Sequence, residues 1–455
     1  MARKLFGTDG IRGIANSEPM TAETALKLGR AAAHVFKQDA RRHRFVIGKD
    51  TRLSGYMLEN ALVAGICSMG DDVMLVGPLP TPAIAFITRS LRADAGIVIS
   101  ASHNPYEYNG IKFFSHTGYK LPDEMEDKIE DLFFSGAIDS IRPTADSIGK
   151  AYRIDDAAGR YVEFVKNSLP RGLTFEKLKI VIDCAHGAVY KVAPYVFREL
   201  GAELIVIGNE PNGTNINHHC GSLYPENLAM LVKETKSDIG FAFDGDADRV
   251  IAVAENGEIL DGDHMLAVCA LYLKEINPGM NAVVTTVMSN MGLEETLKQH
   301  QIGVISTNVG DRYVIEAMTQ QEILLGGESS GHIIFHEFTS TGDGLITALQ
   351  IARVMVAKQQ KLSTLAKVLK KFPQYIQNIR VSEKTPLEEI PEIVKEKNLI
   401  AKQLGSSGRI VLRYSGTEPM VRVMIESREE LNMKDLTHNL VKALKKHLNG
   451  TGDHD

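Results

Sequence analysis

The chain has 455 residues, a hydrophobic fraction of 44%, a charged fraction of 24% and a formal net charge of −6. At ~150 residues per domain this length predicts about three domains, and the composition excludes disordered, collagen-like and membrane-embedded proteins. The negative charge argues against a nucleic-acid partner, because phosphate backbones select for clustered positive charge. Any site for a small phosphate must therefore be built from local cations.

The cysteines and the first residues bear on the compartment. The four cysteines are scattered with no C-x-x-C pair, which argues against zinc or disulfides and favours a reducing environment. The basic start of the chain has no apolar core behind it, so it does not resemble a signal peptide, and no apolar run reaches the ~20 residues of a membrane helix. We expect a cytoplasmic protein with no membrane partner.

Short runs rich in β-branched residues alternate with helix-length segments over most of the chain. Helices are predicted at Ala22–Phe36, Gly159–Asn167 and Asp343–Ala357. Near-continuous apolar strands separated by helices are typical of buried, mostly parallel sheets, so three sets of such strands predict three similar α/β domains. The predicted strands are Arg44–Gly48, Asp72–Val76, Ala95–Ile99, Lys179–Asp183, Glu203–Ile207, Ile239–Phe243, Ala282–Thr286, Gly303–Ser306 and Glu322–Leu325.

The last part of the chain has a different pattern. Two strand-like runs, Arg409–Leu412 and Val421–Ile425, precede an amphipathic helix over Met433–Leu448. The charged stretch Lys384–Glu396, with its two prolines, is interpreted as a surface segment. This pattern predicts a smaller α+β domain after the three α/β domains. The predicted domain ranges are 1–153, 154–254, 255–370 and 371–455.

The densest charge pattern places Asp244, Asp246 and Asp248 between two apolar strands. Alternate positions of an extended segment project to one side, so the three carboxylates should converge and repel unless a hard divalent cation lies between them. A calcium EF-hand loop is the sharper rival, but it needs Gly where Arg249 stands, and helices rather than strands beside it. The pattern favours a Mg²⁺ site.

A small-residue loop, 100–105, follows the predicted strand Ala95–Ile99. The carboxyl ends of parallel strands are where α/β proteins bind ligands, so Ser102 could be a nucleophile, although serine in such a loop often serves the turn alone. The loop is not a G-x-S-x-G elbow, which leaves a hydrolase triad unsupported. Lys112 could bring a cation to this loop or lie on the surface.

Three further loops offer groups suited to anions and sugars. Arg12 lies in a glycine-rich segment, where exposed backbone N–H groups add to its charge. Glu328, Ser330 and His332 supply a carboxylate, a hydroxyl and an imidazole, which suit sugar hydroxyls and proton transfer. Their plainer interpretation is an ordinary polar loop. The last loop combines guanidinium and hydroxyl groups suited to charge-assisted phosphate bonds. Its residues are Arg413, Ser415, Gly416, Thr417 and Arg422.

These five motifs, in this order, resemble the α-D-phosphohexomutase superfamily over essentially the whole chain, and most nearly its members that act on glucosamine phosphates. The resemblance implies four domains around one central cleft, each supplying a loop. It also implies an isomerase that interconverts the 6- and 1-phosphates of glucosamine through glucosamine 1,6-bisphosphate. The product would lead to UDP-N-acetylglucosamine and peptidoglycan precursors.

The resemblance also implies roles for single residues. Ser102 corresponds to a phosphoserine that gives and recovers the phosphoryl group, and one Mg²⁺ per site is held by its phosphate together with Asp244, Asp246 and Asp248. The cations around the transferring group would be Arg12, Lys112 and Arg249, with Lys112 and His332 as candidates for proton transfer. Glu328 and Ser330 would contact sugar hydroxyls. The site for the non-reacting phosphate would comprise Arg413, Ser415, Gly416, Thr417 and Arg422.

Three positions depart from the family pattern. Asn308 stands where relatives commonly have Lys, so one substrate-phosphate cation is missing or is replaced by Arg312; His186 and Tyr414 are also unusual. Three alternatives stay open. They are a related mutase for glucose or mannose phosphates, a non-catalytic sugar-phosphate-binding protein, and a metal-dependent phosphatase. We expect a monomer or a homodimer.

Overall fold

The computed structural model describes residues 5–7, 9–37, 39–382, 384–415, 420–429, 431–449 and 451–452. Within them, four β-sheets follow one another along the chain, and three of these sheets mix parallel and antiparallel strands. The predicted fold class, three α/β domains followed by a smaller α+β domain, is confirmed. No helix in the described ranges is long and apolar enough to cross a membrane.

The first sheet has six strands. Four neighbouring strands are parallel, and two more strands on one side are each antiparallel to the strand before them, so five of the six point the same way. The strands are β1 (Ile11–Ile14), β2 (Arg44–Lys49), β3 (Asp72–Pro78), β4 (Ala95–Ile99), β5 (Tyr108–Ser115) and β6 (Ala151–Arg153); the helices are α1 (Ala22–Phe36), α2 (Ser54–Cys67), α3 (Thr81–Ser90) and α4 (Asp123–Ser135). The strand order is β1-β5-β4-β2-β3-β6.

The second sheet carries the acidic motif in a hairpin. Its elements are α5 (Ala157–Lys166), β7 (Lys179–Asp183), α6 (Val192–Glu199), β8 (Glu203–Ile207), α7 (Glu226–Glu234), β9 (Ile239–Phe243), β10 (Val250–Ala254) and β11 (Ile259–Leu260). The strand order is β11-β10-β9-β7-β8. Strands β7, β8 and β9 are parallel, whereas β10 returns antiparallel to β9, so the turn between β9 and β10 lies at the carboxyl end of β9.

The third sheet is shorter, with strand order β13-β12-β14-β15. Its elements are α8 (Gly262–Ile276), β12 (Ala282–Thr286), α9 (Met291–Gln299), β13 (Gly303–Thr307), α10 (Asp311–Gln320), β14 (Leu325–Gly327), β15 (Ile333–Phe335), α11 (Gly344–Lys358) and α12 (Leu362–Leu365). The predicted strand Glu322–Leu325 is wrong in its bounds. Glu322 has a φ of 56°, and the N–H of Ile323 donates to the carbonyl of Met318, so these residues close the end of α10.

The fourth sheet is antiparallel, with strand order β17-β18-β16-β19. Its elements are β16 (Gln374–Arg380), α13 (Pro391–Leu404), β17 (Gly408–Tyr414), β18 (Met420–Ser427), α14 (Met433–His447) and β19 (Thr451–Gly452). Most residues of the predicted surface segment Lys384–Glu396 are exposed or half-buried, and its second half is helical. Pro391 begins α13, because proline suits the first turn of a helix, and Ile393 and Ile400 are buried.

The hydrophobic core separates the fourth sheet from the other three. One cluster of buried residues joins the first three sheets, with Val46, Ile182 and Leu345 among its members. The fourth sheet packs with α13 and α14 around a separate cluster that includes Ile379 and Leu440. The last domain therefore has its own core, which allows it to be placed as a unit against the other three. The four domain ranges given above stay predictions.

Candidate active site

Ser102 follows β4 in the first sheet and reaches the acidic turn of the second sheet. Its side chain is buried, and its Oγ donates a hydrogen bond to Oδ2 of Asp244 over 2.6 Å. The backbone of Ser102 has a φ of 52°, in the left-handed region that a non-glycine residue rarely adopts. The fold therefore holds this hydroxyl in a strained position beside a carboxylate, as is common at functional sites.

Asp244, Asp246 and Asp248, hereafter the aspartate triad, lie in the turn between β9 and β10. They are buried, and each offers a carboxylate oxygen within 4.8 Å of the others. The predicted convergence is present, but a tight turn produces it rather than an extended segment, since Ala247 has a φ of 54°. Burial, then repulsion from Asp248 and Asp246, raises the pKa of Asp244 well above its usual range.

Two oxygens of the aspartate triad, Oδ1 of Asp246 and Oδ1 of Asp248, are buried without a hydrogen-bond partner among the described residues. A buried carboxylate oxygen that makes no hydrogen bond is costly. Carboxylate oxygens are also the ligands that hard divalent cations prefer. The aspartate triad could therefore hold such a cation.

Lys112 lies on β5 and contacts the aspartate triad. Its Nζ is 3.1 Å from Oδ2 of Asp246, 3.2 Å from Oδ2 of Asp9 and 3.8 Å from Oδ2 of Asp248. Only 2% of the residue is exposed, so it is not a surface lysine. Burial by itself lowers the pKa of Lys112, but Asp246, Asp9 and Asp248 outweigh burial and raise that pKa. The lysine is therefore held as a buried cation.

Two arginines contact the loop 100–105 that carries Ser102, hereafter the serine loop. Arg12 on β1 donates to Oδ1 of Asn104 over 3.1 Å, and Arg249 donates to Nδ1 of His103 over 3.3 Å. Burial, then the positive charges of Arg249 and Arg12, lowers the pKa of His103 to about 3. His103 is therefore a neutral acceptor, and its Nδ1 lies 3.3 Å from Oγ of Ser102.

The third sheet contributes the loop that follows β14. Glu328 accepts hydrogen bonds from the N–H of Gly310 over 3.1 Å and from the hydroxyl of Ser330 over 3.3 Å. The Nδ1 of His332 lies 3.6 Å from Oδ2 of Asp248, and its Nε2 accepts from the N–H of Gly342 over 3.0 Å. The loop thus carries a carboxylate and a hydroxyl beside an imidazole that contacts the aspartate triad.

The pKa of His332 is raised above its usual range. Burial lowers this pKa, but Asp248, Asp311 and Glu328 outweigh burial. A β-carbon at residue 342 would lie 2.5 Å from the imidazole, so a glycine there is what allows the ring to occupy this place.

The fourth sheet contributes two arginines that lie directly opposite each other on β17 and β18. We call Arg413 and Arg422 the arginine pair. Arg422 Nε donates to Oδ1 of Asn378 over 2.9 Å, and burial followed by the charge of Arg422 lowers the pKa of Arg413. An anion between the two guanidinium groups would relieve this repulsion. Gly416 and Thr417, predicted for the same phosphate site, lie outside the described residues. Ser415 is described and buried, and it lines the same cavity as the arginine pair.

These loops meet at a cavity of about 240 Å³. Residues from all four sheet regions line it, and both carboxylates and guanidinium groups face it. The lining residues are Asp9, Arg12, His103, Asp248, Arg249, Val309, Gly310, Asp311, Glu328, Ser330, His332, Arg413, Ser415 and Arg422. Most of the predicted site residues that the structure describes thus line this cavity. The others, such as Ser102 and Lys112, contact a residue of the cavity lining or of the aspartate triad.

Two of the unusual residues, His186 and Tyr414, and the suggested substitute Arg312 have contacts elsewhere in the structure. Arg312 does not replace the missing lysine, since it forms ion pairs with Asp123 and with Glu126 on α4. Tyr414 donates to the carbonyl of Thr385, and Nδ1 of His186 accepts from a backbone N–H. All three side chains therefore have structural partners of their own.

Among the residues next to the site that sequence reasoning missed are three that bind backbone carbonyls. Lys384 donates to the carbonyl of Ser415 over 3.2 Å, which brings a further cation to the phosphate loop. Arg52 and Asn217 donate to backbone carbonyls of the serine loop. No motif marks such residues, because their partners are backbone atoms brought close by the fold.

The chain matches four family models in order. They are described as phosphoglucomutase/phosphomannomutase alpha/beta/alpha domains I, II and III, over residues 3–138, 159–257 and 261–372, and the C-terminal domain, over residues 377–443. The phosphoglucosamine mutase of Syntrophotalea carbinolica is 56% identical over 450 residues, covering 98% of each chain. That of Nitratidesulfovibrio vulgaris is 54% identical, covering 98% of this chain and 100% of its own.

Solved structures share the whole architecture. A phosphoglucomutase/phosphomannomutase family protein from Burkholderia thailandensis has a TM-score of 0.80 and 26% identity, with 97% of each chain covered. The Aspergillus fumigatus N-acetylphosphoglucosamine mutase in complex with GlcNAc-6P and magnesium has a TM-score of 0.69 at 16% identity, covering 97% of this chain and 96% of its own, which is a likeness of fold. The chain belongs to the phosphoglucomutase/phosphomannomutase family of enzymes.

Proposed function

We propose that this enzyme interconverts glucosamine 6-phosphate and glucosamine 1-phosphate through a phosphorylated Ser102 and a bound glucosamine 1,6-bisphosphate. The observation that carries the proposal is the 2.6 Å contact between Ser102 and Asp244 beside a cavity lined by cations. The relatives at 54–56% identity, which are named phosphoglucosamine mutases, support the choice of sugar. The product would feed UDP-N-acetylglucosamine and peptidoglycan precursors in the cytoplasm.

The aspartate triad fits Mg²⁺, the cation of the proposal. Its members are buried, close to one another, and retain two oxygens without a hydrogen-bond partner among the described residues. These three side chains and the phosphate on Ser102 would be the ligands, with one Mg²⁺ per site. When bound, the ion supplies positive charge that neutralises the phosphoryl oxygens.

The forward transfer moves one phosphoryl group from the enzyme to the sugar. The bond between Oγ of Ser102 and phosphorus breaks as a bond from phosphorus to O1 of glucosamine 6-phosphate forms. In the same step the proton of the O1 hydroxyl is passed to Oγ of Ser102, and Lys112 and His332 are the candidates for relaying it. Catalysis of this kind depends on positioning and on neutralising charge, which Arg12, Lys112 and Arg249 provide.

The return transfer uses the same residues with the sugar reversed. The bisphosphate turns in the cavity, its 6-phosphoryl group passes to Oγ of Ser102 as the O6–phosphorus bond breaks, and the proton of the Ser102 hydroxyl is passed to O6. The carboxylates around Lys112 raise its pKa, which favours the protonated form that donates to the leaving oxygen, and His332 is the other candidate. In each half-reaction the phosphate that does not react would be bound by the arginine pair, together with Ser415, Gly416 and Thr417, while Glu328 and Ser330 would contact sugar hydroxyls.

Closure of the last domain would protect the phosphoryl group from water. The domain has its own hydrophobic core and carries the arginine pair at the cavity. Binding of the non-reacting phosphate would therefore draw this domain over the sugar and favour transfer over hydrolysis. A monomeric or dimeric state stays a prediction.

The experiment is a substrate panel with Mg²⁺ and a trace of the matching bisphosphate. We expect kcat/KM to be highest for glucosamine phosphates, compared with the glucose and mannose phosphates. A higher value for another sugar would identify a related mutase. Binding without turnover would favour a sugar-phosphate-binding protein, and release of inorganic phosphate as the main product would favour a phosphatase.

A further inference from the structure

Arg52 is a fully buried arginine whose five N–H donors are all used. Its Nε donates to Oδ2 of Asp50 over 2.7 Å. The other four donors go to backbone carbonyls of the segment that follows β4. The acceptors are Ser102 at 3.0 Å, Asn104 at 2.8 Å, Tyr108 at 3.0 Å and Pro105.

Asn217, from the second sheet region, meets the same segment from the other side. Its Nδ2 donates to the carbonyl of Ser102 over 2.8 Å and to that of Asn104 over 3.1 Å. Each of these two carbonyl oxygens therefore accepts one hydrogen bond from Arg52 and one from Asn217. The acidic turn packs against the same place, because a β-carbon at Gly245 would lie 2.5 Å from the carbonyl oxygen of Ser102.

The amide of Ser102 is fixed as well. Its N–H donates to Oγ of Ser100 over 2.9 Å, and the hydroxyl of Ser100 donates to Oδ2 of Asp50 over 2.6 Å, the atom that also accepts from Arg52. Both backbone groups of Ser102 are thus held by one network, although its φ of 52° is unfavourable for serine. The hydroxyl is the part of the residue directed at Asp244.

We propose that Arg52 and Asn217 are positioning residues that hold Ser102 in its left-handed conformation, so that its phosphoryl group faces the aspartate triad and the sugar. This inference rests on the proposed function, since it assigns transfer to Ser102. Arg52 acts from the first domain and Asn217 from the second, so the pair also fixes the serine loop relative to the acidic turn. Neither residue lines the cavity.

The test compares Arg52→Lys and Asn217→Ala with Arg30→Lys. Arg30 is a matched control, because it is also buried in the first domain and donates to backbone carbonyls, those of Ile138 and Ile141, away from the serine loop. For each full-length protein we would measure kcat and KM with glucosamine 1-phosphate, and amide hydrogen exchange in peptides that cover residues 100–108. Arg52→Lys keeps the charge but cannot supply the five donors of a guanidinium group.

We expect kcat to fall about 100-fold in Arg52→Lys, since a displacement of about 1 Å can cost that much. The KM should stay within about threefold, because the arginine pair that binds the non-reacting phosphate is unchanged. Exchange in residues 100–108 should accelerate in both test variants and not in Arg30→Lys. The fall in kcat of the double variant should be smaller than the product of the two single falls, because both residues donate to the same two carbonyls.

Two outcomes would overturn the inference. One is a kcat of Asn217→Ala that lies within twofold of the kcat of the Arg30→Lys control. Asn217→Ala keeps Arg52, so this comparison can be made even where Arg52→Lys does not fold. The other is unchanged exchange in residues 100–108, which can be measured without any activity. Absence of mutase activity in the unsubstituted enzyme, with the expected exchange differences, would instead overturn the proposed function and leave the positioning role standing.

Discussion

The Oγ of Ser102 lies 2.6 Å from Oδ2 of Asp244, although 142 positions of sequence separate the two residues. One follows a strand of the first sheet, and the other follows a strand of the second. A phosphate on Ser102 would bring a dianion against three buried carboxylates, and a cation would be needed to stabilise that arrangement. This contact is the structural basis for the proposal that a phosphorylated Ser102 lies beside a metal site.

Removal of one carboxylate of the aspartate triad should remove stabilisation by Mg²⁺. In Asp246→Asn we expect Mg²⁺ to produce little change in Tm, whereas in the unsubstituted protein an ion present at about 100 times its Kd stabilises the fold by about 2.7 kcal/mol. Thermal unfolding with and without Mg²⁺ or EDTA measures the difference. The control is Glu258→Gln, an exposed carboxylate near the same hairpin. An undiminished Mg²⁺ effect in Asp246→Asn, or full activity in EDTA, would contradict the metal assignment.

Shortening one member of the arginine pair should weaken binding of the non-reacting phosphate. Hydrogen bonds to charged groups contribute roughly 1.5–3 kcal/mol, so Arg422→Lys should raise the KM for glucosamine phosphates about 10- to 100-fold, with a smaller effect on kcat. Steady-state kinetics provide the measurement, with the exposed Arg142→Lys as control. A KM equal to that of the control would show that phosphate is bound elsewhere.

The β17–β18 hairpin carries the arginine pair, and it contacts the third domain through a second cross-strand pair that lies four residues away on each strand. Arg409 and Glu426 are cross-strand partners, as are Arg413 and Arg422, and residues four apart on a strand lie on the same face. Glu426 is buried and accepts from Arg409 over 2.9 Å and from the N–H of Met291, at the start of α9, over 2.8 Å. This contact therefore fixes where the hairpin places its arginines.

Glu426→Gln should weaken that attachment, because the amide oxygen carries no negative charge and accepts a weaker hydrogen bond from Arg409. We expect a severalfold rise in KM for the sugar phosphate, while the maximal rate of Ser102 phosphorylation at saturating bisphosphate stays normal. The exposed Glu389→Gln in the same domain is the control. An unchanged KM in Glu426→Gln would argue that this contact has no part in placing the arginine pair.

The buried Asp343 should make stability depend on pH. It caps α11 and accepts a hydrogen bond from Tyr161, and burial raises its pKa from 3.8 to about 6. Because the folded protein holds this proton more tightly than the unfolded chain, the contribution of Asp343 to stability falls as pH rises from about 4 through 6. Ionisation of Asp343 therefore lowers the free energy of unfolding by roughly 3 kcal/mol.

Asp343→Asn keeps a capping oxygen for Ile346 and removes the charge. The free energy of unfolding of this variant, relative to the unsubstituted protein, should therefore increase between pH 4 and pH 7. Urea unfolding at both pH values measures the change. A constant difference between the two proteins would show that Asp343 does not titrate in this range.

Local patterns were sufficient for most of the buried strands and for α1, α5, α11 and α14, whereas the long helices α2, α8 and α13 were not predicted. The predicted strands Lys179–Asp183, Glu203–Ile207 and Ile239–Phe243 coincide with β7, β8 and β9, because each is an apolar run bounded by polar residues. The bounds of β1 and β5 could not be predicted in this way. Both strands contain a glycine. They are stabilised by pairing with each other although they are far apart in the sequence, with Arg12 opposite Gly110.

The site was predicted unevenly for a similar reason. The aspartate triad could be inferred from spacing, because its members are neighbours in sequence and their charges must be compensated. The association of Ser102 with that cluster came from the family resemblance alone. Arg52 and Asn217 left no signal, since a side chain that binds backbone carbonyls has partners of no particular residue type.

The most direct test of the account follows the phosphate on Ser102 through a single turnover. Enzyme treated with glucosamine 1,6-bisphosphate would be mixed with an equimolar amount of glucosamine 6-phosphate, and peptide mapping would locate phosphate before and after mixing. The account predicts phosphate on Ser102 at the start and its transfer to the sugar as glucosamine 1,6-bisphosphate. Full mutase activity in enzyme that carries no phosphate on Ser102 would contradict it.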